Sequence, residues 1–362
     1  MNDILTKKLG EIIQLNYGKP ITSKDRIENG TNPIYGANGV LGRTNNYLID
    51  NEAIIVGRKG SAGEINRVSG KFWPSDVTYY ILEPKEADID YLFFLLQSLN
   101  LTRLAKGIKP GLNRNDVYAL EVALPSIPKQ KQIVKLLNQA RLVKQNRIKA
   151  NNLTDQYLTS IFFEMFGDPL FNELKWEKLP LHEFGNVTTG NTPSRNNPQN
   201  YGSSIEWIKS DNIPEDGPYL SEASEYLSET GAKLGRIIPK GSTLTVCIAG
   251  SRKSIGRTAL ANRDVAFNQQ INAITPYQII NEYYLFYLLK LSQEIIQSHS
   301  SKGMKGIVTK GVFEKIELIC PPKKLQDEFG QIFLFLSEIK QKQMKSAKLL
   351  EDNMESLMQN YF

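Results

Sequence analysis

The sequence has little of what builds metal centres and disulfide frameworks. Its 362 residues include only two cysteines, Cys247 and Cys320, and two histidines, His182 and His299. Both cysteines lie in apolar runs, LTVCIAG and ELICPP, so we expect buried, reduced thiols rather than a disulfide. The spacing of these four residues also differs from that of a zinc site, and we interpret the histidines as surface or structural residues.

Long hydrophobic runs are missing as well. No stretch approaches the roughly 18 consecutive apolar residues that favour a membrane-spanning helix. The N-terminal sequence MNDILTKKLGEII lacks the apolar core of a signal peptide. Together with the reduced cysteines, these absences predict a cytoplasmic protein that does not interact with membranes.

Signatures of nucleotide and cofactor binding are also lacking. A phosphate-binding loop requires GxxxxGK[ST], whereas the stretch GSRKSIGRT has five residues between its glycines and an arginine in place of the lysine. The stretch GRKGSAG has the glycine spacing GxxGxxG rather than GxGxxG. An amino-methyltransferase signature, Asp/Asn-Pro-Pro-aromatic, is not found. We therefore expect no catalytic centre, metal or bound cofactor in this chain.

Two long helical segments are present and repeat each other. Apolar residues of the segment 129–166 fall three or four apart, which predicts a helix of roughly 55 Å at 1.5 Å per residue. The segment 325–362 has the same spacing and aligns at a constant offset of 196 residues (362 − 166). The chain is therefore an internal duplication whose halves each end in a long helix. The narrow apolar stripes predict that these helices pair with each other.

Both apolar stripes are interrupted at equivalent positions, by KQNR at 144–147 and KQKQ at 340–343. One interpretation is a solvated face. The other is that two antiparallel helices cross here, with polar residues facing outward or toward a third protein. The candidates for partner docking are Lys144, Arg147, Lys340 and Gln343.

Hydrophobic patterning outside the helices predicts mixed structure. In the first half we expect strands at 53–56, 77–82 and 119–124 and a helix over 90–106. In the second half a strand is expected at 242–249. The polar segment 168–180 is interpreted as a linker.

Charge and loop composition favour nucleic-acid binding. The net charge is +6 and the pI is near 9.0, which suits an acidic partner without establishing one. Arginines and lysines lie among loop glycines, where the backbone can approach a phosphate closely. Asn and Gln can read adenine, and Arg can read guanine. Our candidate DNA-binding residues are Asn38, Arg43, Arg58, Lys59, Lys106, Lys109, Arg114, Arg195, Asn196, Lys209, Arg252, Lys253, Arg257, Asn268, Gln269, Lys302 and Lys305.

Several of these stretches resemble one known family. In the second half they are Gly190-x-Thr192-Pro193-Ser194, LSETGAKL, Ser254-Ile255-Gly256-Arg257 and Ala266-Phe267-Asn268-Gln269-Gln270. In the first half they are Tyr35-Gly36-Ala37-Asn38-Gly39, GRKGS and Phe72-Trp73. In this order the chain resembles the specificity subunits of Type I restriction-modification enzymes. Phe267 and Gln270 stand where the family pattern has Thr and Gly, which leaves the role of that loop open.

The resemblance implies an α+β fold. Two similar mixed α/β target-recognition domains would be separated by an antiparallel pair of long helices, with an internal pseudo-twofold repeat. The expected boundaries are 1–124 and 181–320 for the domains, 125–167 and 321–362 for the helices, and 168–180 for the linker.

The resemblance also implies a function. Each domain would read one half of an asymmetric, interrupted target in double-stranded DNA. Two methyltransferase subunits would supply S-adenosylmethionine for adenine N6 methylation, and restriction/translocase subunits would use ATP and Mg²⁺, while this chain stays non-catalytic. The alternative is a stand-alone sequence-specific DNA-binding regulatory protein that uses the same loops. A single-chain enzyme and a coiled-coil scaffold fit the sequence less well.

Overall fold

The computed structural model describes residues 5–301 and 306–362, and the chain divides into two compact units. Unit 1 comprises Met1–Lys149 together with Met344–Phe362, and unit 2 comprises Ala150–Gln343. Each unit therefore takes its helical part from two segments that are distant in sequence. Within the described residues, no helix combines the length and apolar character needed to cross a membrane.

Unit 1 contains two four-stranded sheets. Its strands are β1 (Leu5–Lys8), β2 (Asn16–Tyr17), β3 (Asn32–Gly36), β4 (Gly39–Thr44), β5 (Ile49–Asp50), β6 (Ala53–Gly57), β7 (Ile65–Val68), β8 (Lys71–Pro74), β9 (Thr78–Ile81) and β10 (Glu121–Leu124). One sheet has the antiparallel order β2-β9-β6-β7. The other has the order β4-β3-β8-β5, in which β3 and β8 are parallel. Strands β1 and β10 form a separate antiparallel pair.

The helices of unit 1 include segments of both long helices. They are α1 (Leu9–Ile12), α2 (Ile89–Ser98), α3 (Arg114–Tyr118), the first part of α4 (Ile127–Phe166) and the last part of α10 (Lys323–Tyr361). The carboxylate of Asp88 caps α2 by accepting from the backbone N–H groups of Asp90 and Tyr91. This helix is shorter than the predicted span 90–106, because Asn100 adopts a φ of 47° and a 3₁₀ turn, Leu101–Leu104, follows it.

Unit 2 repeats this arrangement of strands. They are β11 (Lys178–Pro180), β12 (Gly185–Thr189), β13 (Tyr201–Ile208), β14 (Tyr226–Leu227), β15 (Ile237–Ile238), β16 (Thr243–Val246), β17 (Ile248–Ala249), β18 (Thr258–Leu260), β19 (Val265–Phe267), β20 (Ile271–Pro276), β21 (Gly306–Ile307) and β22 (Glu317–Ile319). The sheets have the orders β12-β20-β16-β18 and β14-β13-β19-β15, with β13 and β19 parallel, and the pairs β11-β22 and β17-β21 are antiparallel. The predicted strand 242–249 is thus divided between β16 and β17.

Within the described residues, unit 2 has more short helices than unit 1. The helices of unit 2 are α5 (Leu181–Phe184), α6 (Glu229–Leu234), α7 (Glu282–Leu291), α8 (Gln293–Ser298), α9 (Lys310–Phe313), the end of α4 and the start of α10. Each unit has one antiparallel sheet, one sheet with a central parallel pair, and a helix followed by an edge strand that leads into a long helix. The predicted α+β class and internal repeat are confirmed.

The long helices close the core of each unit. In unit 1 the buried residues Ile133 and Leu137 of α4 pack with α2, and Met354, Leu357 and Phe362 of α10 pack against the same cluster. In unit 2 the rings of Phe162 and Phe166 contact Tyr284 and Phe329. The helix segments are antiparallel in both units. In unit 1 Lys129 lies on the ring of Tyr361 and Lys144 pairs with Glu351. In unit 2 Phe166 contacts Phe329 and Asp155 pairs with Lys340.

Only part of the predicted apolar stripe is covered. Ile133, Leu137 and Phe162 are buried, but the side chains of Leu136 and Tyr157 are 45% and 60% exposed. Other large apolar residues exposed on the long helices are Leu142, Val143, Ile148, Leu153, Phe163, Leu334, Phe335, Met344 and Leu349. Much of the helical surface is therefore apolar and open.

The segment between α4 and the second domain is ordered. Gly167 ends α4 with a φ of 73°, and the indole N–H of Trp176 donates to the carbonyl of Phe166 at 3.0 Å. Asn172 bonds Trp176 through both ends of its amide. The last three residues of the span expected to be a linker form β11, which pairs with β22.

Candidate nucleic-acid interface

The unit 1 candidates converge where β6 ends. Arg58 and Lys59 follow this strand directly, and the backbone N–H of Leu112 donates to the carbonyl of Arg58 at 2.9 Å. An isolated antiparallel β-bridge between Lys59 and Gly111 connects the same two segments. These bonds hold the loop from Lys106 to Gly111 beside the Arg58 turn, so residues about 50 positions apart share one surface.

Two arginines of this region contact the ring of the same tyrosine. The guanidinium carbon of Arg58 lies 4.8 Å from the ring centre of Tyr17 and 5.8 Å from that of Tyr79. Arg114, at the start of α3, lies 5.5 Å from the Tyr17 ring and 5.9 Å from Tyr118. Arg58 also donates to the carbonyl of Asp76 at 3.0 Å. Stacking on aromatic faces holds both guanidinium groups while leaving most of their donors free.

The cleft around these arginines is cationic. It measures about 370 Å³ and is lined by Tyr17, Arg58, Lys59, Tyr79 and Arg114 with the backbone of the 111–115 segment. Among the described residues, neither Arg58 nor Arg114 forms an ion pair with a carboxylate. Exposed Lys59 and Lys109 add charge, whereas Lys106 pairs with Asp116 at 2.8 Å. Such a cleft attracts a phosphate or another anion.

The two remaining unit 1 candidates differ in how far their polar groups are available to a ligand. Asn38 is exposed in the turn between β3 and β4. Arg43 donates to the carbonyls of Gly30 and Thr31, at 2.6 and 2.9 Å. Arg43 therefore stabilises its own hairpin, and fewer of its donors are available to a ligand.

The unit 2 candidates centre on the aromatic residues of β13. Arg195, in the loop after β12, lies 5.0 Å from the ring centre of Tyr201 and 5.3 Å from that of Trp207. Lys209, just after β13, lies 5.5 Å from Trp207. The carboxylate of Glu225 accepts from Arg195 at 2.8 Å and also from Lys209. The hydrogen bond from Lys209, followed by that from Arg195, lowers the pKa of Glu225 from its usual value.

A hydrogen-bond network links these groups to the turn after β19. Arg257 donates to the carbonyl of Ser210 at 3.0 Å, and the Ser210 hydroxyl donates to Gln270 at 3.3 Å. Gln270 in turn accepts from Asn268. The Thr192 hydroxyl donates to Gln269. The network brings Arg195, Lys209, Arg257, Asn268 and Gln269 together on one side of unit 2.

Within that network Asn268 has a structural position. Its side chain is buried, and its oxygen accepts from the backbone N–H of Gln270 at 3.0 Å. Asn268 is a candidate DNA-binding residue by sequence, and in the structure its side chain stabilises this turn. Exposed Gln269 is the better placed of the two.

Exposed cations and amides surround the cluster. Asn196 is exposed beside Arg195, and Arg252 and Lys253 are exposed in a 3₁₀ turn, Arg252–Ser254. The two remaining candidates, Lys302 and Lys305, lie outside the residues that the structure describes.

Within its own unit, the polar centre of each long helix faces the other long helix. Lys144 pairs with Glu351 in unit 1, and Lys340 contacts both oxygens of Asp155, at 2.7 and 2.5 Å, in unit 2. The Lys340 side chain is only 16% exposed. Arg147 and Gln343 are half-buried. The expectation that these positions point outward is therefore wrong for Lys340, whereas the Lys144 side chain stays 35% exposed beside Glu351.

Sequence reasoning missed the aromatic and acidic members of both clusters. Tyr201 and Trp207 lie in a strand flanked by the candidates Arg195 and Lys209, whereas Tyr17 ends a short strand far in sequence from Arg58, and Glu225 precedes a two-residue strand. Their sequence signal is weak, because single aromatic residues in strands more often belong to the core. Among the described residues, no group of three or more His, Cys, Asp and Glu side chains could hold a metal ion.

Family comparison matches both halves of the chain to one domain. The model of the Type I restriction modification DNA specificity domain matches residues 1–154 and again residues 173–350. The two matches cover most of the chain and fall on both halves of the internal repeat.

Several curated relatives are similar to this chain. The Type I restriction enzyme EcoprrI specificity subunit of Escherichia coli is 30% identical over 138 residues, 36% of this chain and 34% of the relative. The MjaIX specificity subunit of Methanocaldococcus jannaschii is 24% identical over 192 residues, 52% and 44% of the two chains. The HindI specificity subunit of Haemophilus influenzae is 29% identical over 163 residues, 41% and 33%. The chain thus spans less than half the length of each of these relatives.

Solved structures share the fold over nearly the whole chain. The Type I restriction-modification S subunit from M. genitalium has a TM-score of 0.69 and 15% identity, covering 100% of this chain and 96% of that one. A chain from a structural study of assembly and conformational transition in the type I R-M system has a TM-score of 0.58 and 16% identity, covering 99% and 97%. At these identities the likeness shows the fold alone.

Proposed function

The chain belongs to the Type I restriction modification DNA specificity domain family, and from this premise we propose that it is the DNA-recognition subunit of a Type I restriction-modification complex. It would act in the cytoplasm on double-stranded DNA. Its target would be interrupted and asymmetric, and each unit would bind one half of it.

The observation that carries this proposal is a repeated scaffold with unlike surfaces. The two units share sheet order and helix placement, yet unit 1 presents Arg58 and Arg114 on Tyr17, whereas unit 2 presents Arg195 and Lys209 with Glu225. Base readout depends on the side chains that reach the groove. Two unlike surfaces on one scaffold therefore suit two unlike half-sites.

The long helices are our proposed docking surface for partner proteins. They keep large apolar residues exposed, including Leu142, Tyr157 and Phe335 at 57%, 60% and 65%. Large exposed apolar patches on a protein commonly mark the sites where it binds other proteins. We propose that two methyltransferase subunits occupy them, and that Arg147 and Gln343 lie at their border. The same helices would set the spacing between the half-sites.

Catalysis would belong to those partners. Methyltransferase subunits would bring S-adenosylmethionine to adenine N6 of a flipped base, and restriction/translocase subunits would use ATP and Mg²⁺. In this proposal the chain itself binds none of these cofactors.

Methylation mapping tests the proposal directly. The chain would be co-expressed with the methyltransferase subunit from its own gene neighbourhood, and methylated adenines would be mapped by single-molecule sequencing. We expect a two-part asymmetric motif that disappears when this chain is omitted. Replacing residues 1–124 with those of another family member should change one half-site and leave the other.

Two results would contradict the proposal. Methylation that is unchanged without the chain would show that another protein sets the specificity. Complete absence of methylation, with a folded methyltransferase subunit that does not co-purify with the chain, would favour the stand-alone DNA-binding protein instead.

A further inference from the structure

Glu225 lies between the two main cations of the unit 2 surface. Its carboxylate accepts from Arg195 at 2.8 Å and from Lys209, and its backbone carbonyl accepts from the N–H of Trp207 at 3.0 Å. The Glu225 side chain is 34% exposed and that of Arg195 is 56% exposed. The cluster is thus open to a ligand but already contains its own anion.

Unit 1 shows the opposite charge arrangement. There Arg58 and Arg114 share the ring of Tyr17, and within the described residues no carboxylate pairs with either of them. Both units therefore place two cations on aromatic rings, but only unit 2 supplies a carboxylate between them. A need for positive charge alone does not explain Glu225, because its carboxylate cancels charge that would attract DNA.

A carboxylate in this position has two physical effects. It repels phosphates and reduces the counterion release that Arg195 and Lys209 could contribute. It also offers an acceptor, and carboxylates in DNA grooves accept hydrogen bonds from the exocyclic amino groups of bases. Arg195 uses one guanidinium nitrogen on Glu225, so its other donors stay free for a base edge.

We propose that Glu225 is a specificity-determining residue of unit 2, which directs Arg195 and Lys209 to base edges and itself accepts from the amino group of cytosine or adenine. This inference rests on the proposed function, since it assumes that unit 2 binds one DNA half-site. Unit 1 then supplies more of the sequence-independent attraction to phosphates, and unit 2 supplies more of the discrimination.

Salt-dependent binding to random-sequence duplex tests the electrostatic part. Wild-type chain, Glu225→Gln and Glu173→Gln would be compared by fluorescence anisotropy over a range of salt concentrations. Glu173 is an exposed carboxylate of unit 2 without a hydrogen bond or ion pair in the described structure, so its variant makes the same charge change elsewhere. We expect Glu225→Gln to bind severalfold more tightly at low salt, with a slope steeper by about 0.9 for each phosphate gained. Glu173→Gln should match the wild type.

Methylation mapping with the same variants tests specificity. In complex with the methyltransferase partner, Glu225→Gln should methylate additional sites that differ from the wild-type motif in one half-site only. Arg195→Gln should relax the same half-site while weakening random-duplex binding less than Arg58→Gln does. Thermal unfolding of each variant would confirm that unit 2 stays folded.

The outcomes separate the inference from the proposed function. A wild-type complex that yields no two-part motif would overturn the proposed function and this inference with it. An active wild type, together with a Glu225→Gln variant of unchanged motif and unchanged salt slope, would overturn the inference alone. Changes in both half-sites would also overturn it, because a local base contact affects only one.

Discussion

At the residue scale, the same amino acid serves different purposes according to its hydrogen-bond partners. Arg43 and Arg58 are both loop arginines of unit 1, and sequence alone does not rank them. Arg43 gives two nitrogens to the carbonyls of Gly30 and Thr31, whereas Arg58 gives one to Asp76 and stacks on Tyr17. Donors that already bond the protein stabilise its fold, whereas donors that are held in place but unpaired can bind a ligand.

These two arginines should respond differently to substitution. Arg58→Gln should weaken binding to random-sequence duplex and lower the salt slope by about 0.9, the value for one phosphate contact. Arg43→Gln should leave the slope unchanged and lower the thermal stability of unit 1. Anisotropy titrations at several salt concentrations, with calorimetric unfolding, measure both. Equal loss of slope in the two variants would contradict this assignment.

Buried glutamines at the start of the long helices have a similarly specific role. Gln130 accepts from the N–H of Asp88 at 2.7 Å and donates to the carbonyls of Glu86 and Pro125, and it is fully buried. Gln326 occupies the equivalent position in unit 2 and bonds Asn281 and Pro321. Each amide ties the beginning of a long helix to the loop before α2 or α7.

Gln130→Leu should destabilise unit 1 by about 2–4 kcal/mol. The reason is that the leucine leaves backbone groups of Asp88, Glu86 and Pro125 unpaired in the interior. Gln132→Leu is the matched control, since Gln132 is exposed on the same helix turn and its replacement should change stability little. Calorimetric unfolding of the full chain measures the difference. Equal melting of the two variants would show that water replaces the lost bonds.

At the scale of elements, the long helices are held in register by equivalent ion pairs. Lys144 with Glu351 and Lys340 with Asp155 are related by the offset of the internal repeat, since 144 and 340, and likewise 155 and 351, differ by 196. Each pair lies within one unit and joins opposite helices. A shift of one helix by a turn would separate every one of these charges.

Reversing one charge tests this register. Lys340→Glu should lower the stability of unit 2 by about 1 kcal/mol at low salt, because it faces Asp155. Adding Asp155→Lys should restore most of the loss. Lys342→Glu, on the exposed side of the same helix, provides the control. Thermal unfolding in low and high salt measures the coupling, and a double variant no more stable than Lys340→Glu would argue against the pair.

At the scale of the whole molecule, the last residues of the chain complete the first domain. Met354, Leu357, Met358, Tyr361 and Phe362 pack against the core of unit 1, and the Phe362 ring lies 5.1 Å from that of Tyr91. Unit 2 ends at Gln343 and includes none of these residues. Residues 344–362 therefore stabilise the first domain rather than the second, although the second is nearer to them in sequence.

Truncation after residue 343 should accordingly destabilise unit 1, most of which lies far from the cut in sequence. Removing 344–362 exposes apolar surface of unit 1, so we expect faster hydrogen exchange across β6, β9 and α2. Residues 181–320 serve as the internal reference and should keep their protection. Phe362→Ala should give a smaller effect in the same direction. Loss of protection confined to unit 2 would contradict the assignment of this segment to unit 1.

The duplication, the two long helices and the α+β class follow from the amino-acid sequence alone. These depend on periodicity and on residue order, which the chain carries locally, so strands at 53–56, 77–82 and 119–124 correspond to β6, β9 and β10. Which charged side chains remain unpaired depends instead on the folded structure. Lys144 and Lys340 resemble their neighbours in sequence, but ion pairs with residues 207 and 185 positions away neutralise them. Arg43 and Asn268 instead use their hydrogen bonds on nearer partners that shape a hairpin and a turn. Likewise, Tyr17 and Glu225 acquire their roles only from the side chains that folding brings to them, because an aromatic ring or a carboxylate has no function until its partners are in place.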